Sequence, residues 1–328
     1  MTRSPLWRGA AALAVLFGPH AATALYAAAE LAGADLAGPG LAASVNVSAL
    51  SLTATGIWLL VRARHPVNDR VAWPAIGGAA ALAVAGAVLL PLTGQATDTV
   101  ATVLLAAAGA WLCAGLAADA GAPLWRGRLA GEIARRWDTD AVAACAVVLA
   151  GHTVAMLLDD WVTRLGPAVT DQAQQADPTG LHNPVLFAAQ ALAAGVREEI
   201  PLLALPAALM MAARRPAWQI LAVVCVLRVI PHAYLGTPAL TSAVFAATAW
   251  WTYRATRRIG PVIIGHTLFN AIALFGGPAG NAALLATPAI AGLFLADAPN
   301  ATPTWLRKRL RRKSSRSDRP VKVKGPAL

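Results

Sequence analysis

The chain has 328 residues, 57% of them apolar and only 13% charged, with 27 Lys+Arg against 16 Asp+Glu and a formal charge of +11. Soluble domains carry about 25% charged residues, so the composition excludes a disordered chain, a disulfide-stapled secreted domain and an ordinary cytosolic globule. A polytopic membrane protein remains, and at about 20 residues per span the length holds up to about a dozen helices.

Apolar runs of helical length cover about 7–32, 41–61, 72–92, 98–118, 141–158, 184–212, 217–235, 239–253, 260–277 and 281–297. The expected fold is therefore all-α, a polytopic transmembrane helical bundle of about ten spans. The first run follows Arg3 and Arg8 and passes the small residues Ala22-Thr23-Ala24, as a signal peptide would. It continues to about Ala32, longer than a signal-peptide core, and is read as a spanning helix. Pro, Gly and charge mark the linkers at 38–40, 62–74, 119–140, 159–183 and 214–216. Cys113, Cys145 and Cys225 fall inside apolar runs without CxxC spacing and read as small buried hydrophobes. No internal repeat is evident.

Charge supplies an independent test of this division. Alternate loops and the C-terminal tail hold 24 of the 27 basic residues, while the intervening loops hold Arg164 and the acids Asp98, Asp159, Asp160, Asp171 and Asp177. The positive-inside rule then puts both termini in the cytoplasm. Residues Arg307 to Lys324 contain ten basic residues and one acid, Asp318, a block read as an anchor on anionic membrane lipid. It lacks interleaved aromatics and lies against a membrane segment, so nucleic acid is not an expected partner.

The remaining charges lie where charge is costly. Arg197, Glu198, Glu199 and Arg228 are inside apolar runs, and each costs at least ~2.5–3.5 kcal/mol at bilayer depth unless partnered. Two Glu and two Arg cancel, which predicts that their two helices pack together. Adjacent helical residues point about 100° apart, so Glu198 and Glu199 are not expected to face one cavity in the same way. One addresses a substrate while the other holds a helix partner. Pro201 follows the pair and removes a helical hydrogen bond. On the next run Arg228 and His232 are four residues apart with Pro231 between them, and on a third His266 and Asn270 share a stripe by the same spacing.

A carboxylate in a low-dielectric site suits general-base attack by water, and a His facing it can orient that water. A His/Asn pair on one helical face offers two donors to a developing oxyanion. These parts match glutamate-dependent hydrolysis of a peptide bond inside the membrane.

At these residues the sequence resembles the CPBP family of intramembrane proteases, which includes the CAAX prenyl endopeptidases and bacterial relatives. The family's signatures are Glu-Glu-x-x-x-Arg, Phe-x-x-x-His and His-x-x-x-Asn on successive helices. Glu198-Glu199 fits the first, His232 closes the second, and His266 to Asn270 fits the third, with 34 residues between successive catalytic positions. The resemblance covers about residues 184–275. It implies Glu198 as catalytic base, His232 as its water-orienting partner, and His266 with Asn270 as oxyanion hole. Two positions depart: Leu203 stands where the motif has Arg, and Arg228 where it has Phe. The run Arg228 to Gly236 is nonetheless similar to an Arg-x-x-x-His-x-Tyr-x-Gly form of a bacterial subgroup. Arg197 or Arg228 is expected to replace the motif arginine as partner to Glu199.

Other readings weigh against these. The Glu pair with Arg197 and Arg228 is also a self-sufficient ion-pair network, and His266 with Asn270 is also interhelical hydrogen-bond glue. Two His and a Glu are potential zinc ligands, but HExxH is missing and Asn is a poor ligand, so no cofactor is expected. His20 and His152, each alone in an Ala-rich run, read as packing or pore-facing residues, and His65 and His182 as loop residues.

The expected organisation is a set of N-terminal transmembrane helices without an assigned role over 1–140, a protease-like core over 141–298, and a basic cytoplasmic tail over 299–328. The expected activity is endopeptidase cleavage of a membrane-associated protein or peptide, CAAX-type processing by resemblance. A non-catalytic scaffold, immunity factor or transporter using the same polar cluster is the alternative. The Ala/Arg-rich, Lys-poor composition points to a bacterial plasma membrane.

Overall fold

A computed structural model describes residues 4–36, 45–63, 69–124, 132–169, 183–275, 279–280 and 282–289. Every regular element among them is helical. In chain order these are α1 (Pro5–Leu31), α2 (Val47–Ala63), α3 (Asp69–Leu89), α4 (Gln95–Asp119), α5 (Glu132–Val162), α6 (Pro184–Glu198), α7 (Leu205–Ala212), α8 (Ala217–Val229), α9 (Ser242–Thr256) and α10 (Gly260–Phe275). A π turn over Glu199–Ala204 joins α6 to α7, and two 3₁₀ segments, Ile230–Leu235 and Thr237–Thr241, join α8 to α9. Residues 282–289 are helical as well. The basic run from Arg307 to Lys324 and the whole tail 299–328 lie outside the described residues, as do His65 and His182.

Among the described residues four helical stretches are long and apolar enough to cross a membrane: Pro5–Leu31, Gln95–Asp119, Ala141–Leu165 and Ala217–Leu235. Val47–Ala63, Trp73–Leu89 and Gly260–Ala273 are shorter apolar helices. Large apolar side chains also cover the outside, among them Trp73, Val84, Trp161, Val185 and Trp218, each more than half exposed. A water-facing surface rarely carries so much apolar area; a lipid-facing one requires it. The chain is a helical membrane protein.

Local sequence sets the ends of these elements. Ser4 and Asn183 both precede a proline at the first helical position, where the missing N–H costs nothing. The Asn183 side chain accepts from the backbone N–H groups of Val185 and Leu186, capping α6. Helix α5 begins at Glu132, about nine residues before the apolar run that marks it in sequence. Its added turns are polar and helix-forming, and hydropathy does not register them.

The helices around the centre approach closely because small residues line their contacts. A Cβ added at Gly195 of α6 would lie 2.5 Å from the Thr267 hydroxyl on α10, and one at Gly265 would lie 2.9 Å from the Val148 side chain on α5. Helix α1 packs along Ile230–Leu235, and α5 packs against both α9 and α10. One hydrophobic core draws Leu16 from α1, Leu52 from α2, Leu105 and Leu112 from α4, Val148 from α5 and Phe245 from α9. The segment after α8 is tied down from outside: Thr237 N–H donates to the Pro167 carbonyl and Val169 N–H to the Leu235 carbonyl. Gly236 between them has φ +75°, and a Cβ there would strike the Pro167 oxygen.

Candidate active site

Helix α6 ends on three consecutive ionisable residues, Arg197, Glu198 and Glu199, and the α-helix gives way to the π turn at Glu199. Pro201 has no N–H to close an α-helical bond on the Arg197 carbonyl, and the wider turn accommodates that loss. Its i→i+5 spacing is explicit at the far end, where Leu205 N–H donates to the Ile200 carbonyl. Single π turns of this kind recur at functional sites.

The change in winding brings both glutamates onto one guanidinium. Arg228, in the last turn of α8 and 2% exposed, donates from Nη1 to Glu198 Oε2 at 2.5 Å and from Nη2 to Glu199 Oε1. The expectation that the pair would face different ways therefore holds only in part. The carboxylates share Arg228 and diverge in their other partners. Glu199 Oε1 also accepts from His266 Nδ1 at 2.7 Å, and Glu199 is fully buried. Glu198 instead meets His232, whose Nε2 is 3.8 Å from Glu198 Oε2, and Arg197, whose Nη2 is 3.9 Å from Glu198 Oε1.

Hydrogen bonding assigns the rings. His232 Nδ1 donates to the Arg228 carbonyl at 2.8 Å, so in the neutral ring the Nε2 lone pair is turned toward Glu198. His266 donates from Nδ1 to a carboxylate, so its Nε2 donates only when the ring is an imidazolium. Asn270, half-buried one turn further along α10, makes no hydrogen bond among the described residues and is not drawn into the network.

The arginine question has a geometric answer. Leu203 is 1% exposed within the hydrophobic core, and the guanidinium that pairs with Glu199 comes from Arg228 on the neighbouring helix. Its plane also lies over the Phe245 ring, 4.7 Å from the centroid. Arg197 turns elsewhere, donating from Nη1 to His20 Nε2 at 3.3 Å.

Sequence reading gave no part in the site to several residues found here. His20 lies 3.3 Å from the Ser48 hydroxyl as well as beside Arg197, and Ser48 is 2.9 Å from the Thr102 hydroxyl. The signal was a stripe of buried hydroxyls at helical spacing, Ser48, Ser51 and Thr55, inside an apolar run. His152 stacks between Phe245 (3.4 Å) and Phe269 (4.2 Å) and lies 4.9 Å from the His266 ring, a packing role that steadies His266. Among the described residues no group of three or more His, Cys, Asp or Glu side chains is arranged to hold a metal. A shallow hollow of about 440 Å³ lined by Leu6, Met210, Arg215 and Trp218 shares no residue with the glutamate cluster.

Comparison of the chain with family models, with curated proteins and with solved structures gives no match.

Proposed function

We propose that the chain is an intramembrane endopeptidase that hydrolyses a peptide bond of a membrane-associated protein or peptide, with Glu198 as base. One observation carries the reading. Glu198 Oε2 and the bare Nε2 of His232 are two acceptors 3.8 Å apart at the end of a buried ion-pair cluster. One water donating an O–H to each satisfies both and keeps a lone pair free for attack.

In this mechanism Glu198 takes a proton from that water as its oxygen bonds to the scissile carbonyl carbon. The carbonyl π electrons move to oxygen, giving a tetrahedral oxyanion. His266 as imidazolium, with Asn270 beside it, donates to that oxygen. Glu199 behind the His266 ring stabilises the imidazolium, which turns its Nε2–H to the developing oxyanion as Glu198 gives up its own charge to the water proton. Collapse expels the amine, which takes the proton held by Glu198, and the products are a carboxyl and an amine terminus. Glu199 and Arg228 are positioning residues in this scheme.

The topology that accompanies it is ten crossings with both termini cytoplasmic in a bacterial plasma membrane. Trp7, Trp73 and Trp218, all more than half exposed, sit beside the arginine-rich ends of α1, α3 and α8 as an interfacial belt would. The resemblance to the CPBP family supports the same assignment of Glu198, His232, His266 and Asn270. The proposal needs no metal; cleavage abolished by chelation and restored by zinc would reverse that choice.

A second reading has its own observation: Arg228 pairs with both glutamates and Arg197 supplies the second positive charge, as a purely structural cluster would require. Comparative proteomics of membrane peptides from cells expressing wild type or Glu198→Gln at equal level separates them. Peptidase action predicts cleavage products lost in Glu198→Gln. Identical peptide sets would leave the structural reading.

A further inference from the structure

Hydrolysis inside a membrane needs water delivered to a buried base, and Glu198 is 7% exposed. Polar groups nevertheless continue from the cluster in one direction, through the N-terminal helices. From Glu198 they run to Arg197, to His20 on α1, to Ser48 on α2 and to Thr102 on α4, each within hydrogen-bonding or ion-pair distance of the next. One turn toward the start of α4, Thr99 and Asp98 both receive Gln190 Nε2 of α6, each at 3.2 Å. Asp98, in the first turn of α4, and Gln190, midway along α6, are half-buried, whereas Thr99, Thr102 and Ser48 are at most 3% exposed. Gln190 precedes Arg197 by seven residues, a rise of about 10 Å along α6.

Several polar atoms along this file are buried without a protein partner: Ser51 Oγ, His20 Nδ1 and Arg197 Nε. Buried polar groups are satisfied almost without exception, and where protein does not do so, ordered water does. Thr55 and Thr99 bond the carbonyls one turn back and Ser48 bonds Thr102, but Ser51 Oγ on the same stripe has no protein partner, so burying it is costly unless something polar lies beside it.

We propose that a water lane enters beside Asp98 and Gln190, passes Thr99, Thr102 and Ser48, and reaches the glutamate cluster past His20. The use made of that water rests on the peptidase reading; the lane itself does not. Through it α1, α2 and α4 wet a site built by α6, α8 and α10. His20 is its narrow point, holding Arg197 on one side and Ser48 on the other.

The test uses full-length protein in lipid nanodiscs, with Cys113, Cys145 and Cys225 replaced by Ala. Ser51→Cys and Ala108→Cys report from two positions that are both 0% exposed. A small charged methanethiosulfonate needs water and a thiolate, so Ser51→Cys is expected to react at least about tenfold faster than Ala108→Cys. Adding Thr102→Leu, or Thr102→Val where the first does not fold, closes the lane upstream of Ser51 and is expected to slow Ser51→Cys toward the Ala108→Cys rate. Equal rates at the two reporters overturn the lane, and a Ser51→Cys rate unchanged by both plugging variants overturns its assigned path. Glu198→Gln in the same background leaves the labelling unchanged, so a failed peptidase reading and a dry lane give different results.

Discussion

Replacing Arg228 with Met removes the cation from two buried carboxylates at once while roughly keeping the volume of the side chain. Arg228, Glu198 and Glu199 are 2%, 7% and 0% exposed, so bulk solvent does not take over the lost charge. At an effective dielectric of about 20, each ion pair is worth roughly 4 kcal/mol before desolvation is counted. Truncating one member of a buried pair costs about 3–5 kcal/mol, and the upper part of that range is expected because two partners are stranded. The stacking of the guanidinium on Phe245 is lost as well. The cluster then carries one net negative charge, with Arg197 as its only arginine. Adding Glu199→Gln returns it to neutrality, and Arg228→Met/Glu199→Gln is expected to regain at least about 2 kcal/mol over Arg228→Met. Equilibrium unfolding in mixed detergent micelles, followed by circular dichroism, measures all three proteins. A loss below about 1 kcal/mol for Arg228→Met would refute the clamp. A double variant no more stable than the single one would refute the charge-balance reasoning.

Three further outcomes are expected. Gly195→Ala sets a methyl 2.5 Å from the Thr267 hydroxyl and 3.0 Å from the Ile263 carbonyl, so it separates α6 from α10. The loss is about 1–3 kcal/mol in the same unfolding assay, and an unchanged midpoint would contradict the close packing. Leu203→Arg puts a guanidinium at a position 1% exposed in the apolar core, while Glu198 and Glu199 are already paired with Arg228. Its membrane-inserted yield falls sharply, and a yield equal to wild type would show that the site has room for a third cation. Arg62→Ala breaks a 2.7 Å pair with Asp119 whose side chains are 27% and 43% exposed. The pair is worth under about 1 kcal/mol, and a larger loss on unfolding would mean it is part of a network.

The helices were legible because apolar runs and proline-marked starts are local signals. Pro5 and Pro184 announce the first turns of α1 and α6, while the polar opening of α5 from Glu132 leaves no trace in hydropathy. The site was legible for a different reason: in a chain this poor in charge, Arg197, Glu198, Glu199 and Arg228 stand out by cost alone. Which arginine serves which glutamate was not legible. It depends on the π turn after Glu198, which re-aims Glu199, and spacing based on a regular helix does not anticipate such a turn. The link from His20 to Arg197 spans 177 positions, and only tertiary packing reveals it. Ser48 and Thr102 hid for the opposite reason, since single hydroxyls are ordinary in membrane helices and acquire meaning only as a connected file.

That long link has a consequence for how the protein is made. Helix α1 is synthesised before α2 to α10, yet Arg197, which donates to His20, and the Ile230–Leu235 segment, which packs along α1, follow far later. At about 5–20 residues per second, His20 waits roughly 10–35 s for Arg197 to emerge. During that interval Ser48 on α2, only 28 residues away, is the first partner to arrive, followed by Thr102 on α4. The hydroxyls are therefore expected to receive the imidazole before Arg197 does, and to keep it in the folded protein. The helices that assemble first hold open the polar side on which the later ones dock.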